Sequence, residues 1–176
     1  MSEQGKVALQ MSRIADVFRF AREAGRLEGV VPLDRFGRLR DQLLRVDGAV
    51  DYRIGGGVGV DGKARLEIAL RGQLVLRCQR CLGEYPWELA VDSVLIPMRV
   101  GDALPEDELE NDEVDAIEVE AAGELDPLVL IEDEIILALP LVPRHESCSL
   151  LREQGGAGRE SPFAVLAGLR GRAKEN

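Results

Sequence analysis

Four side chains with metal-binding chemistry lie in two short stretches of the chain. Cys78 and Cys81 form a CxxC motif within RCQRCL, and His145 and Cys148 form an HxxC motif at the end of LVLIEDEIILALPLVPRHESC. Three thiolates and one imidazole are a complete ligand set for tetrahedral zinc. The two motifs are separated by the 63 residues 82–144, so the fold has to bring them together. The pattern is typical of one structural zinc ion held by these four residues.

Two other interpretations of the cysteines remain open. A thioredoxin-like redox pair needs its first cysteine at a helix N-terminus, where the dipole lowers the thiol pKa. Here a turn and the strand-like YPWEL follow Cys81, which disfavours redox chemistry. Alternatively, the cysteines are small hydrophobic residues and His145 lies on the surface. Metal content of protein purified without chelator would separate these interpretations.

Catalytic machinery finds little support in the sequence. There is one histidine, and neither GxSxG nor HExxH is present, so no nucleophile and base can be assigned. The consecutive carboxylates Glu132, Asp133 and Glu134 point some 100° apart on a helix and do not form an acid/base pair. We attribute them to a solvated rim. The chain is therefore expected to be non-enzymatic, with no cofactor besides the zinc.

Charge is distributed unevenly along the 176 residues. Residues 1–100 carry 16 Lys and Arg against 13 Asp and Glu, whereas residues 101–176 carry 6 against 19. Fifteen acidic residues and no basic one lie between Asp102 and Glu134. This pattern argues against a broad basic face for nucleic acid. It predicts an acidic insertion at about 102–115 that is either a solvated loop or an attractive surface for a basic protein partner.

The location and size of the protein follow from simpler features. No apolar run reaches the roughly 20 residues that a membrane span needs, and the N-terminus lacks the apolar region of a signal peptide. Three cysteines do not make a disulfide framework. We therefore expect a cytoplasmic protein without membrane contact. The length suits a single domain over residues 1–148, followed by a flexible tail over 149–176. The oligomeric state is left open.

Helical periodicity dominates the first third of the chain. Ser12 is predicted to cap a helix whose apolar face includes Ile14 and Val17, and Leu27–Val31 is extended. Pro32 is predicted to open a second helix with Leu33, Phe36, Leu39 and Leu43 facing inward.

A two-residue period then predicts strands. Gly55–Gly57 suggests a bulge or bend, and Asp61-Gly62 predicts a hairpin turn. Around Asp92-Ser93 the apolar positions change parity, which predicts a second bulge. The strand from Ala64 has one apolar parity that ends in Cys78, so that sulfur should face the core.

After the acidic insertion, Ala116–Val119 is a short strand candidate, and Asp126-Pro127 begins a helix. The predicted buried stripe of that helix is Leu128, Ile131, Ile135, Ala138 and Leu139, with Asp133 and Glu134 on the far side. In the tail, Ser161 precedes a short apolar helix over 162–169. The predicted fold class is α+β, an antiparallel sheet flanked by a few helices.

Three of these segments together resemble a known family. CQRCL, GELDPLVLIEDEIILALPLVPRHESC and SPFAVLAGL are similar to the YceD family of large ribosomal RNA subunit accumulation proteins. The similarity runs roughly from Leu76 to Leu169 and is close to literal over Glu132–Pro140. The family's motif residues correspond here to Cys78, Arg80, Cys81, His145 and Cys148.

The resemblance implies a role in the synthesis, processing or stability of 23S-type ribosomal RNA during ribosome biogenesis. Few aromatic residues are available to stack on single-stranded RNA. The expected partners are therefore ribosomal or rRNA-processing proteins, with precursor large-subunit rRNA as a further one. Any RNA contact would use five arginines, namely Arg19, Arg22, Arg26, Arg77 and Arg80. The alternative is a zinc-stabilised protein-binding module unrelated to ribosomes.

Overall fold

The computed structural model describes residues 13–102 and 115–148. Within these ranges the strands form one six-stranded sheet, in which β1, β3, β4, β5 and β6 are neighbours in that order and β2 also pairs with β4. The strands are β1 (Arg26–Pro32), β2 (Leu43–Arg45), β3 (Ala49–Val58), β4 (Ala64–Arg77), β5 (Glu84–Arg99) and β6 (Asp115–Val119). The helices are α1 (Val17–Arg22) and α2 (Pro127–Ala138), and two 3₁₀ turns span Leu33–Arg35 and Leu39–Gln42.

The sheet is mixed, which corrects part of the predicted architecture. Every pairing is antiparallel except β5 with β6, which is parallel. Two consecutive parallel strands need a connection of about a dozen residues or more, because the chain has to run back along the first strand before the second can begin. The 15 residues between Arg99 and Asp115 meet that requirement. The α+β class is confirmed, and the wholly antiparallel sheet is wrong at this one edge.

One hydrophobic core forms between α2, the 3₁₀ turns and the inner face of the sheet. Leu66, Ile68, Leu70, Leu74 and Leu76 of β4 are buried as predicted, whereas Ala64 at the start of the strand is only partly buried. Ile131 and Ile135 of α2 are fully buried against this cluster. Glu67 and Arg71 lie on the opposite, exposed face. The two-residue period thus identified the buried face of the longest inner strand.

The first predicted helix is shorter than expected. Ile14 forms an antiparallel bridge with Leu125 instead of lying in the helix, and α1 begins at Val17. The cap is Asp16, whose Oδ1 accepts a hydrogen bond from the backbone N–H of Arg19 at 3.0 Å. A carboxylate in this position satisfies a free helix donor as well as a serine does. The predicted cap, Ser12, lies outside the described residues.

The second predicted helix is replaced by the two 3₁₀ turns and β2. Leu33, Phe36 and Leu39 are buried as predicted. However, Phe36 is extended, and the backbone N–H groups of Arg38 and Leu39 donate to the Glu132 carboxylate at 2.6 and 2.9 Å. These donors are therefore unavailable to an α-helix.

Both predicted bulges are absent. β3 pairs with β4 without a register shift through Gly55–Gly57, and β4 pairs with β5 without one through Asp92 and Ser93. Ser93 keeps the inward parity, and its hydroxyl donates to Oε2 of Glu134 at 2.6 Å. The apolar parity therefore does not change at this point. Ser93 is a polar residue that faces inward because it has a buried hydrogen-bond partner.

Gly56 is required by the close approach of α1 to β3. A Cβ placed on Gly56 would lie 2.6 Å from the carbonyl oxygen of Phe20 and 2.8 Å from the Cα of Ala21. We expect Gly56→Ala to lower the free energy of unfolding by about 1–3 kcal/mol, because backbone atoms of α1 would have to move. Urea denaturation measures this change. Gly57→Ala is the matched control, since a Cβ there meets no atom within 4 Å.

Some sequence predictions fall outside the described residues. The centre of the acidic insertion (103–114), the tail (149–176) and its apolar helix (162–169) are among them. In the part of the chain that the structure describes, no helix is long and apolar enough to cross a membrane.

Candidate metal centre

The turn between β4 and β5 presents the two cysteines of the CxxC motif. Cys78 follows the inward parity of β4 and is completely buried, as the period predicted. Its N–H donates to the carbonyl of Gly83, and its carbonyl accepts from the N–H of Leu82, both at 2.9 Å. Leu82 has a φ of 60°, which closes the turn tightly. This geometry directs the side chain of Cys81 back toward Cys78.

The segment after α2 brings the other two residues to the same place. α2 ends at Ala138, and the backbone carbonyl of Pro143 accepts a hydrogen bond from the N–H of Gln79 at 2.9 Å. Nη1 of Arg80 contacts the carbonyl oxygen of Cys148 at 3.4 Å. The ring of His145 packs edge-on against Tyr85, with ring centroids 5.4 Å apart. The HxxC segment is therefore fixed against the CxxC turn by backbone and ring contacts.

The four candidate ligand atoms converge on one point. The sulfurs of Cys78 and Cys148 are 3.8 Å apart, and the sulfur of Cys81 is 3.5 Å from Nδ1 of His145. All four atoms lie within 4.8 Å of one another. Two sulfurs bound tetrahedrally to one zinc at about 2.3 Å are about 3.8 Å apart, and a bound sulfur and imidazole nitrogen about 3.5 Å apart. The donor set and its spacing fit a tetrahedral metal ion.

The pKa values of the Cys78 and Cys148 thiols are shifted in opposite directions. Burial raises the pKa of Cys78, but the backbone N–H groups of Cys81, His145 and Arg80 point at its sulfur and lower the pKa to about 5. Burial, together with the neighbouring sulfurs of Cys78 and Cys81, raises the pKa of Cys148. Thiolates this close repel one another unless a cation lies between them. The site has the electrostatics that a bound divalent cation would relieve.

The geometry also bears on the competing interpretations. His145 is partly buried against Tyr85 rather than free on the surface, so the surface-histidine interpretation does not fit. All three cysteines are free thiols. Cys78 and Cys81 lie between β4 and β5, so neither is at the helix N-terminus that a thioredoxin-like redox pair needs.

The five arginines predicted to contact RNA do not form one surface. Arg26 of β1 pairs with Gly55 of β3, and Gly55 pairs in turn with Glu67 of β4. Glu67 and Arg77 are ten residues apart along β4, a distance of roughly 33 Å. Arg19, Arg22 and Arg26 therefore lie at one end of the sheet, and Arg77 and Arg80 lie at the metal end. Arg19 contacts Glu23 at 3.4 Å, which reduces its availability.

Sequence reasoning missed two buried carboxylates in α2. Glu132 and Glu134 are buried rather than part of a solvated rim, and only Asp133 is about half exposed. The available signal was that α2, PLVLIEDEIILA, is apolar at every position except these three carboxylates. A helix without a polar face offers its acidic residues no separate solvated stripe. The three carboxylates Glu132, Asp133 and Glu134 could therefore not all be assigned to the surface from the sequence.

Comparison with known proteins gives consistent results. The family model described as large ribosomal RNA subunit accumulation protein YceD matches residues 66–170, which include all four candidate ligands and α2. A protein of that description from Haemophilus influenzae is 33% identical over 126 residues, covering 64% of this chain and 66% of the relative. The chain thus spans slightly less than two thirds of the length of that relative.

No solved structure matches the chain significantly. Because the family model covers more than half of the chain and includes both halves of the Cys/His cluster, the assignment by motif is confirmed, and the chain belongs to the YceD family of large ribosomal RNA subunit accumulation proteins.

Proposed function

We propose that this protein is a non-enzymatic factor in the synthesis, processing or stability of large-subunit ribosomal RNA in the bacterial cytoplasm. Membership of the YceD family carries this proposal. We further propose that one zinc ion bound by Cys78, Cys81, His145 and Cys148 stabilises the fold. The convergence of four donor atoms within 4.8 Å supports the zinc.

A structural role for the metal follows from the donor set. Four protein ligands complete a tetrahedral shell and leave no position for water or substrate, unlike a catalytic zinc site with three ligands. The ion would supply no chemistry beyond cross-linking the β4–β5 turn to the segment after α2. The chain's own residues then perform the function by binding partners.

Charge determines which partner the surface favours. Exposed carboxylates of and around β6 include Asp115, Glu118, Glu120 and Glu124, next to the acidic insertion. The predicted RNA-binding arginines are divided between two ends of the sheet. The acidic side therefore favours a basic ribosomal or processing protein as the primary contact. Direct RNA contact would be confined to a small area near Arg77 and Arg80.

A pull-down of the tagged protein at near-physiological salt tests this proposal. We expect enrichment of large-subunit over small-subunit rRNA, together with ribosomal or processing proteins that remain bound after nuclease treatment. Charge reversal at Asp115, Glu118 and Glu120 should reduce protein recovery at least about ten-fold, because the binding would depend on long-range attraction. Charge reversal at three exposed acidic residues away from β6, Asp34, Asp41 and Glu88, is the matched control, because it changes the net charge by the same amount.

The other outcomes are equally informative. Precursor rRNA that stays bound at high salt, without ribosomal proteins, would show direct recognition and would contradict the adaptor role. Recovery of neither rRNA nor ribosome-associated proteins would contradict the proposed function. Zinc present in that case would favour a zinc-stabilised binding module unrelated to ribosomes.

A further inference from the structure

The described sheet ends in two edge strands, β1 on one side and β6 on the other. An edge strand carries a row of backbone N–H and C=O groups without a neighbouring strand, and another chain can pair with them. β6 lies beside β5, and no strand of the described ranges lies on its other side. The outer edge of β6 is therefore open to the addition of a strand.

The hydrogen bonds of β6 show which of its backbone groups face outward. The carbonyl of Val119 accepts from the N–H of Val100, directly after β5, at 3.3 Å, so the backbone groups of Val119 point toward β5. The N–H and C=O of one strand residue point to the same side, and those of the next residue point to the opposite side. Ala116 and Glu118 therefore direct their N–H and C=O groups away from β5. Both residues are exposed.

The opposite edge strand, β1, is less suited to pairing. The N–H of Leu33 donates to the carbonyl of Gly48 at 2.9 Å, so by the same alternation the even-numbered residues of β1 face outward. One of them is Pro32, which has no N–H to donate. Another is Glu28, whose carboxylate already forms an ion pair with Arg53 at 3.5 Å. β6, with the sequence DAIEV, contains no proline.

The charges along β6 determine which kind of strand can be added. Asp115, Glu118 and Glu120 are exposed, and in the part of the chain that the structure describes their carboxylates form no ion pair or hydrogen bond. Charged side chains commonly protect an edge strand from pairing, and those of β6 are all acidic. Like charges directly opposite each other are destabilising, so they exclude an acidic strand, including β6 of a second copy of the chain. A basic strand is favoured instead.

The two faces of β6 place a second requirement on the added strand. Side chains alternate between the faces, and Ile117 packs against the core while Val119 is buried. Glu118 lies on the exposed face between them. Residues of an added strand beside Ile117 would therefore extend the apolar face, and residues beside Glu118 would lie next to a carboxylate. The matching sequence alternates apolar and basic residues.

We propose that a partner protein adds a strand of alternating basic and apolar residues to the outer edge of β6. The backbone groups of Ala116 and Glu118 pair with this strand, its basic side chains contact Glu118, and its apolar side chains pack beside Ile117. This inference rests on the proposed function, because it specifies how the acidic side binds a basic partner. It adds that binding depends on backbone pairing as well as on charge.

A proline at position 116 separates backbone pairing from charge. Ala116→Pro removes one outward N–H but no carboxylate and no hydrogen bond to β5, so the sheet should be retained. The probe is a peptide of alternating lysine and valine with the length of β6, titrated against the full chain at near-physiological salt. We expect Ala116→Pro to weaken binding at least about ten-fold, because a carbonyl of the peptide loses its donor. Val30→Pro is the matched control, since Val30 has an outward position on β1, and it should leave the affinity unchanged.

Amide hydrogen exchange gives a second readout that does not depend on the folding of a variant. When the peptide binds the wild-type chain, the amides of Ala116 and Glu118 should exchange at least about ten-fold more slowly. The amide of Ile117, which points toward β5, should not change. Such an alternation is specific to strand pairing, because attraction between charges alone does not distinguish neighbouring amides.

The outcomes separate this inference from the proposed function. Absence of added protection at Ala116 and Glu118, or full binding by a folded Ala116→Pro variant, would contradict strand addition. If charge reversal at Asp115, Glu118 and Glu120 still reduced the recovery of ribosomal or processing proteins, the proposed function would stand with a contact made by charge alone. Conversely, alternating protection by the peptide, with neither rRNA nor ribosome-associated proteins in the pull-down, would support the binding edge and contradict the proposed function.

Discussion

Replacement of Cys81 by serine is expected to remove the bound zinc and to lower the melting temperature by about 10 °C. Wild-type protein purified without chelator should contain about one zinc per chain, and the variant close to none. An ion present at about a thousand times its dissociation constant stabilises the native state by about 4 kcal/mol. For a chain of this length that corresponds to a change in melting temperature of roughly 10 °C. Elemental analysis and a thermal scan measure both quantities.

The control for this experiment lies in the same segment. Ser147 is exposed between two candidate ligands, and Ser147→Ala should keep the zinc and the melting temperature. A chelator added to the wild type should reproduce the Cys81→Ser result, whereas it should not affect the variant. Wild-type protein that is stably folded and free of metal would refute the zinc site. The four side chains would then be a crowded cluster of free thiols around a histidine.

The CxxC half of the candidate metal centre could be located from the sequence because its determinants are local. The parity of β4 placed Cys78 at the end of a buried row, and the turn over Cys81-Leu82-Gly83 was recognisable from its residues. The convergence with His145 and Cys148 could only be stated as a requirement, because it depends on how α2 packs. The family resemblance linked the two motifs but did not supply a geometry.

The errors in the predicted fold have a common physical cause. The parallel pairing of β6 depends on the path of the chain after β5, and the loss of the second helix depends on a carboxylate from α2. The two false bulges were inferred from the run Gly55–Gly57 and from the change of apolar parity at Asp92-Ser93. Within these, a close contact with α1 explains Gly56, and a hydrogen bond to Glu134 explains Ser93. In each case a distant partner determined the local structure, and no local pattern contains that information.

Two connections fix α2 within the molecule. Near its middle, Glu132 accepts hydrogen bonds from the 3₁₀ turn segment, and after its end the candidate metal ligands join it to the β4–β5 turn. The family match includes both points. Glu132 and Glu134 of α2 are therefore structural in this fold, and most of the exposed charges available to partners lie elsewhere.

Replacement of Glu132 by alanine is expected to lower the free energy of unfolding by about 3 kcal/mol. The carboxylate accepts from the backbone N–H groups of Arg38 and Leu39 at 2.6 and 2.9 Å and from Nε of Arg38 at 3.0 Å. Its removal leaves one buried and one partly buried backbone donor without this partner, which costs more than the loss of an exposed ion pair. Urea denaturation with unchanged zinc content measures the effect.

Asp133 provides the matched control on the same helix. It also contacts Arg38, at 2.6 Å, but both side chains are about half exposed. Asp133→Asn should therefore cost at most about a third as much as Glu132→Ala. Equal effects of the two variants would show that the ion pairs with Arg38, and not the hydrogen bonds from the backbone N–H groups, account for the stabilisation.

The pH dependence distinguishes the charge of Glu132 from its packing. Burial raises the pKa of this carboxyl, but the N–H of Leu39 and the groups of Arg38 outweigh burial and lower it below its usual value. A carboxyl whose pKa is lower in the folded state stabilises fully above its unfolded pKa of about 4.3, and this contribution is lost as the pH falls through the folded pKa. The stability difference between wild type and Glu132→Gln should therefore be constant near neutral pH and shrink in acid. A difference that stays the same down to pH values where Glu132 is protonated would assign its role to shape alone.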